Sequence, residues 1–91
     1  MLKGKMNSRI ILADDDADDR VIFSEALSEV RANQQLTVFS DGVELMNYLQ
    51  QAAELPQLLF LDLNMPKKSG FECLREIRTN ERYKDISIAI Y

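Results

Sequence analysis

Residues 58–72 read LLFLDLNMPKKSGFE. Four apolar residues run straight into Asp62, and the chain then passes through Asn64, Met65 and Pro66 before Ser69 and Gly70 open a new periodic segment. A short apolar run entered through Pro56 and closed by a polar loop predicts a buried strand over residues 58–61. Ser69 followed three residues later by Glu72 has the form of a capping box, which predicts a helix with Phe71, Leu74 and Ile77 facing inward. The unit is strand, loop, helix, with one carboxylate where the strand ends.

The rest of the chain repeats this alternation. Residues 10–13, IILA, are a second apolar run, followed at once by Asp14, Asp15 and Asp16. Phe23, Ala26, Leu27 and Val30 then recur at i, i+3, i+4 and i+7, the inner stripe of a helix. Residues 36–39 predict a strand, Asp41 an N-cap, and Leu45, Met46 and Leu49 the inner stripe of a second helix. Residues 86–90 predict a fourth strand. Such an order implies an α/β fold, a doubly wound parallel sheet with right-handed crossovers and helices on both faces. No repeat or linker divides the chain: residues 1–8 read as a flexible leader and residues 9–91 as one domain.

Composition narrows the function classes. A hydrophobic share of 46% with 29% charged residues is that of a soluble globular protein. The net charge of −4 argues against recognition of a nucleic-acid backbone, which needs clustered Lys and Arg. Cys73 is the only cysteine, which excludes an internal disulfide and fits a packing role in a reducing, cytoplasmic setting. Neither a signal-peptide core nor a membrane-spanning run is visible.

In a parallel sheet all strands end on one edge, so Asp14 and Asp15 share a crevice with Asp62 if the first and third strands are neighbours. Carboxylates crowded in this way repel one another, and a hard divalent cation relieves the repulsion. Magnesium suits an all-oxygen site and keeps waters that a phosphoryl oxygen can replace. A carboxylate such as Asp62 is already ionised at neutral pH, in keeping with a chain containing no His.

The pairing of ILADDD with LLFLDLNMPKKSGFE closely resembles the receiver domain of bacterial two-component response regulators, over residues 9–91. The resemblance implies a flavodoxin-like sheet of order 2-1-3-4-5. It implies that Asp62 accepts a phosphoryl group from the phosphohistidine of a sensor histidine kinase or phosphotransfer protein. It implies a Mg²⁺ pocket of Asp14, Asp15, Asp62 and the Asn64 backbone carbonyl, with Asp15 a direct ligand. Pro66 and Gly70 match the turn that leads from the site into the third helix. No enzyme activity is implied beyond the domain's own phosphorylation and its hydrolysis. The approach NERYKDISI to the fourth strand resembles the phytochrome-linked branch of the family.

Two rivals account for parts of this pattern. Asp14, Asp16, Asp18 and Glu25 mimic the spacing of a calcium-binding loop, but Asp19 stands where that loop's sharp turn wants Gly, and the preceding residues are strand-like. A haloacid-dehalogenase-like phosphatase wants a second Asp where Asn64 stands. Taken alone, DDDADDR is an acidic helix start, a role left to Asp16, Asp18 and Asp19. The sequence also departs from the resemblance. It stops just before the expected switch Ser or Thr, without the fifth strand, its Lys, and the last two helices. The 91-residue chain is therefore expected to self-associate through an open fourth strand, and a switch-deficient interaction module is the alternative function.

Overall fold

The computed structural model describes residues 8–30 and 34–91. Strands β1 (Ser8–Ala13), β2 (Gln34–Phe39), β3 (Leu58–Leu61) and β4 (Ser87–Ile90) alternate with helices α1 (Ala17–Val30), α2 (Gly42–Gln51) and α3 (Gly70–Arg78). A short 3₁₀ turn at Glu81–Tyr83 precedes β4. All pairings are parallel and the sheet order is β2-β1-β3-β4. The doubly wound reading holds. β1 opens at Ser8, inside the stretch assigned to a leader, whose remaining residues, 1–7, lie outside the described residues.

Alternation along the strands divides the two faces. Ile11, Ala13, Leu59 and Leu61 point into a core closed by Leu45, Met46 and Leu49 of α2 and Cys73 and Ile77 of α3. Both helices start where side chains satisfy their free N–H groups. Asp41 accepts from the Glu44 N–H, and Ser69 and Glu72 form the complete capping box. On the opposite face Phe23 of α1 meets Phe60 edge to face, with ring centroids 4.7 Å apart.

Two helical stripes differ from expectation. Phe71 is 61% exposed, because Gly70 and Cys73 occupy the inward positions of the first turn of α3 and leave Phe71 pointing outward. In α1, Phe23 and Leu27 are only half-buried and Ala26 is exposed, while the Val30 side chain lies outside the described residues. The cause is on the sheet side: a hollow of about 620 Å³ lies between α1 and the β3–β4 half of the sheet, lined by Ile22, Phe23, Ala26, Phe60 and Ala89 among others.

The segment NERYKD has a structural role of its own. Asn80 caps the 3₁₀ turn, Tyr83 is buried, and Arg82 donates to the carbonyls of Leu49 and Ala52 at the end of α2, each at 2.6 Å. A cation there satisfies orphan acceptors and complements the helix dipole.

Gly42 marks the tightest packing. A Cβ at this position would lie 2.0 Å from the Lys68 carbonyl oxygen and 2.8 Å from the Cys73 sulfur. Gly42→Ala must push the start of α2 off the loop before α3, and is expected to destabilise the chain by about 3 kcal/mol in urea unfolding. The control Phe71→Ser, at an exposed position, should change stability by less than about 0.5 kcal/mol.

Candidate functional site

Sheet register builds the site. Ala13 and Leu61 are paired neighbours on β1 and β3, and the Asp62 N–H donates to the Ala13 carbonyl at 2.9 Å, so each strand delivers its next residue to the same point. One ligand oxygen from each of Asp14, Asp15 and Asp62 lies within 4.8 Å of the others. This is the trio expected from sequence, and among the described residues it is the one convergent carboxylate group.

The three acids sit in different surroundings. Asp14 is 1% exposed, and both its oxygens are engaged. Oδ1 accepts the Asp16 N–H at 2.9 Å and Oδ2 accepts the Tyr91 hydroxyl at 2.6 Å. Arg20 donates to the Asp14 backbone carbonyl at 2.8 Å, tying the first turn of α1 to the acidic loop. Asp15 is exposed and Asp62 half-buried. One Asp62 oxygen, Oδ1, accepts the Asn64 N–H at 3.0 Å.

Crowding has an electrostatic consequence. Burial, with repulsion from Asp14 and Asp15, pushes the Asp62 carboxyl above its ordinary value despite the opposing hydrogen bond from Asn64. Asp19 is also raised, chiefly by Asp16. The cations on the acceptor loop are committed elsewhere: Lys67 pairs with Asp41 at 3.4 Å and Lys68 with Glu76. Asp41 is held below its ordinary value by the Glu44 N–H first and by Lys67 as well.

The loop after Asp62 is shaped by steric demands that the sequence shows only in part. Gly70 packs so closely that a Cβ would stand 2.1 Å from the Asp62 carbonyl oxygen, and its N–H donates to the Leu63 carbonyl at 3.0 Å. Met65 anchors the loop in the core. Lys67 takes φ 66°, the left-handed region that non-glycine residues seldom adopt. Pro66 and Gly70 were legible as turn residues; the Met65 anchor and the Tyr91 contact had no local signal.

The calcium-loop set does not assemble. Asp16 Oδ1 accepts the N–H groups of Asp18 and Asp19 at 2.8 and 3.3 Å, which makes it the cap of α1. Asp18 lies in the first turn of that helix and Glu25 farther along it, with a strand before the loop where the calcium motif needs a helix. Cys73 is buried, and desolvation pushes its thiol up to about 11, so it is a packing residue and no nucleophile.

An oxygen-only donor set suits a hard cation such as Mg²⁺ or Mn²⁺. Fold and site together define a flavodoxin-like α/β domain that gathers acids around a half-buried aspartate at the carboxyl edge of its sheet. The family profile described as response regulator receiver domain matches residues 10–91, and the chain belongs to that family. It is 36% identical over 86 residues to the response regulator Rcp1 of Synechocystis sp., covering 89% of this chain and 58% of that protein. A structure of the phosphorylated cyanobacterial phytochrome response regulator RcpA is 35% identical with a TM-score of 0.87, covering 92% of this chain and 64% of that one. The Mn²⁺-bound form of Rcp1 is 34% identical with a TM-score of 0.85, covering 91% and 63%. The likeness thus extends to the phytochrome-linked branch, and the chain spans about three fifths of the length of these relatives.

Burial of Asp62, with repulsion from its neighbours, gives a pH-dependent test. The folded-state carboxyl of Asp62 is raised above 3.8, so its ionisation opposes folding: the cost is absent below that pH and grows as pH rises through the raised value. Without divalent cations, Asp62→Asn should therefore melt at a higher temperature than the parent at pH 7. The difference should vanish below pH 3.8.

Proposed function

We propose that the chain is a phospho-accepting receiver of a two-component phosphorelay, taking a phosphoryl group onto Asp62 from the phosphohistidine of a histidine kinase or phosphotransfer protein. The observation that carries this reading is the convergence of the Asp14, Asp15 and Asp62 carboxylates. With Oδ1 occupied by the Asn64 N–H, Asp62 presents its other oxygen, Oδ2, as the nucleophile. The O–P bond forms as the N–P bond to the donor imidazole breaks, in line, and with a proton already on its other ring nitrogen the leaving group departs as neutral imidazole. No proton need be removed from the attacking carboxylate. The side chains of Asp14, Asp15 and Asp62 and the Asn64 carbonyl would hold a Mg²⁺ ion, which supplies charge neutralisation for the phosphoryl oxygens.

Catalysis in this reading is confined to the domain's own phosphorylation and its hydrolysis. Because Lys67 and Lys68 are engaged with Asp41 and Glu76, the 91-residue chain should react slowly. Incubation with acetyl phosphate and Mg²⁺ should add one acid-stable, base-labile phosphoryl group by intact mass. Asp62→Asn should abolish the addition; equal labelling of that variant would refute the assignment. A cytoplasmic location belongs to the same reading, in keeping with the free thiol of Cys73.

A second reading, an interaction module that pairs through β4, is favoured by the position of that strand. β4 is the sheet edge beyond β3, and Ile90 on it is 45% exposed. A row of unpaired backbone groups on an apolar edge is a template for another strand. Light scattering of the 91-residue chain should then give a dimer at low micromolar concentration, with amides in Ser87–Ile90 protected from exchange. A folded, dispersed monomer would exclude this reading.

A further inference from the structure

The acidic site has one contact that the phosphoryl-acceptor reading leaves without a role: the Tyr91 hydroxyl donates to Asp14 Oδ2 at 2.6 Å. The distance is that of a charge-assisted O–H···O⁻ bond. Register places it there. The Tyr91 N–H donates to the Leu61 carbonyl at 3.2 Å, and its own carbonyl accepts the Leu63 N–H at 3.5 Å, so the β3–β4 ladder continues one step past Ile90 and sets Tyr91 alongside Asp62. Alternation puts its side chain on the same face as Ala89 and Phe60, toward α1, and the ring lines the apolar hollow with Ile22 and Phe23. The ring is thus guided along an apolar wall while its hydroxyl reaches the acid cluster.

Asp14 gives that contact its weight. The residue is 1% exposed, and its other oxygen is bound by the Asp16 N–H within the acidic turn. Among the described residues the phenol is the one side-chain donor on its carboxylate. A donor on Oδ2 withdraws charge from the carboxylate and uses a lone pair that a cation, or a water bound to it, would otherwise take.

We propose that Tyr91 is a positioning residue of the acidic site, whose hydroxyl holds Asp14 in the metal-free chain and competes with a divalent cation for that carboxylate, restraining the site's cation affinity. The inference rests on the reading of Asp14, Asp15 and Asp62 as a cation pocket. Competition predicts an effect opposite in sign to a purely supporting role: removing a structural brace would loosen the site and weaken binding, whereas removing a competitor strengthens it.

The experiment is a Mg²⁺ titration of the parent chain and of Tyr91→Phe, following amide shifts at residues 13–16 and 62–65. The phenylalanine ring still lines the hollow, so only the hydroxyl is lost. Binding by Tyr91→Phe should be tighter by about fivefold, a fraction of the effect of one hydrogen bond to a charged group. In the parent, the Tyr91 ring resonances should move with the same midpoint as the Asp15 amide, and Tyr48→Phe, at a ring that packs on Phe39, should leave the affinity unchanged. Equal or weaker binding by Tyr91→Phe, with the parent binding normally, would overturn the role of Tyr91 alone. Absence of binding by parent and variant alike would overturn the cation pocket and this inference with it. A Tyr91→Phe chain that has lost its native amide dispersion would also overturn it, since the hydroxyl would then be a structural brace.

Discussion

The parallel pairing of β1 with β3 places two strand-ending aspartates side by side, and the rest of the site follows from that constraint. The Ala13–Leu61 register and the Asp62 N–H bond to the Ala13 carbonyl leave Asp14 and Asp62 no freedom to separate without breaking the ladder. Backbone donors moderate the charge they accumulate, from Asp16 onto Asp14 and from Asn64 onto Asp62, yet Asp62 remains raised. Hydrogen bonds of this kind orient a carboxylate without neutralising it, so the site keeps the negative potential that attracts a cation.

Holding that geometry requires close approaches elsewhere. Gly70 lets the start of α3 lie against the Asp62 carbonyl, and Gly42 lets the start of α2 lie against the loop at Lys68. Met65 pins the middle of the same loop into the core, and Lys67 absorbs the turn with a left-handed backbone. Such backbone strain is tolerated where the surroundings over-determine the conformation, and here both helices and the sheet do so. Arg82 adds a clamp at the far end of α2 through the Leu49 and Ala52 carbonyls.

The two faces of the sheet are unequal. The α2–α3 face is filled by residues that are almost fully buried, including Leu45, Leu49, Leu59, Leu61, Cys73 and Ile77. Across the sheet, α1 meets the β3–β4 half over an open hollow, and Val21 and Ile22 stay more than half exposed. Tyr91 stands on the border between the hollow and the acids, with its ring on one side and its hydroxyl on the other.

Much of this architecture was legible in the order of residues, because strand and helix periods are local properties. The alternation of apolar runs with helical stripes led to four strands, three helices and their order, and the capping pattern at Ser69 and Glu72 is observed as read. The rule that parallel strands end on one edge brings the acids together once β1 and β3 are neighbours, an adjacency implied by the family resemblance, and Asp14, Asp15 and Asp62 do converge. What remained hidden depends on contacts between residues far apart in the chain. Which side of α3 is buried turned on how closely Gly70 and Cys73 pack against their neighbours, so Phe71 faces water although its spacing fits an inner stripe. The partial exposure of the α1 stripe reflects the hollow beside it. Tyr91 reaches Asp14 across 77 positions of sequence, a distance that only the β3–β4 ladder and the pleat of the sheet close. Periodicity specifies which face an element offers; only the packed chain decides what meets that face.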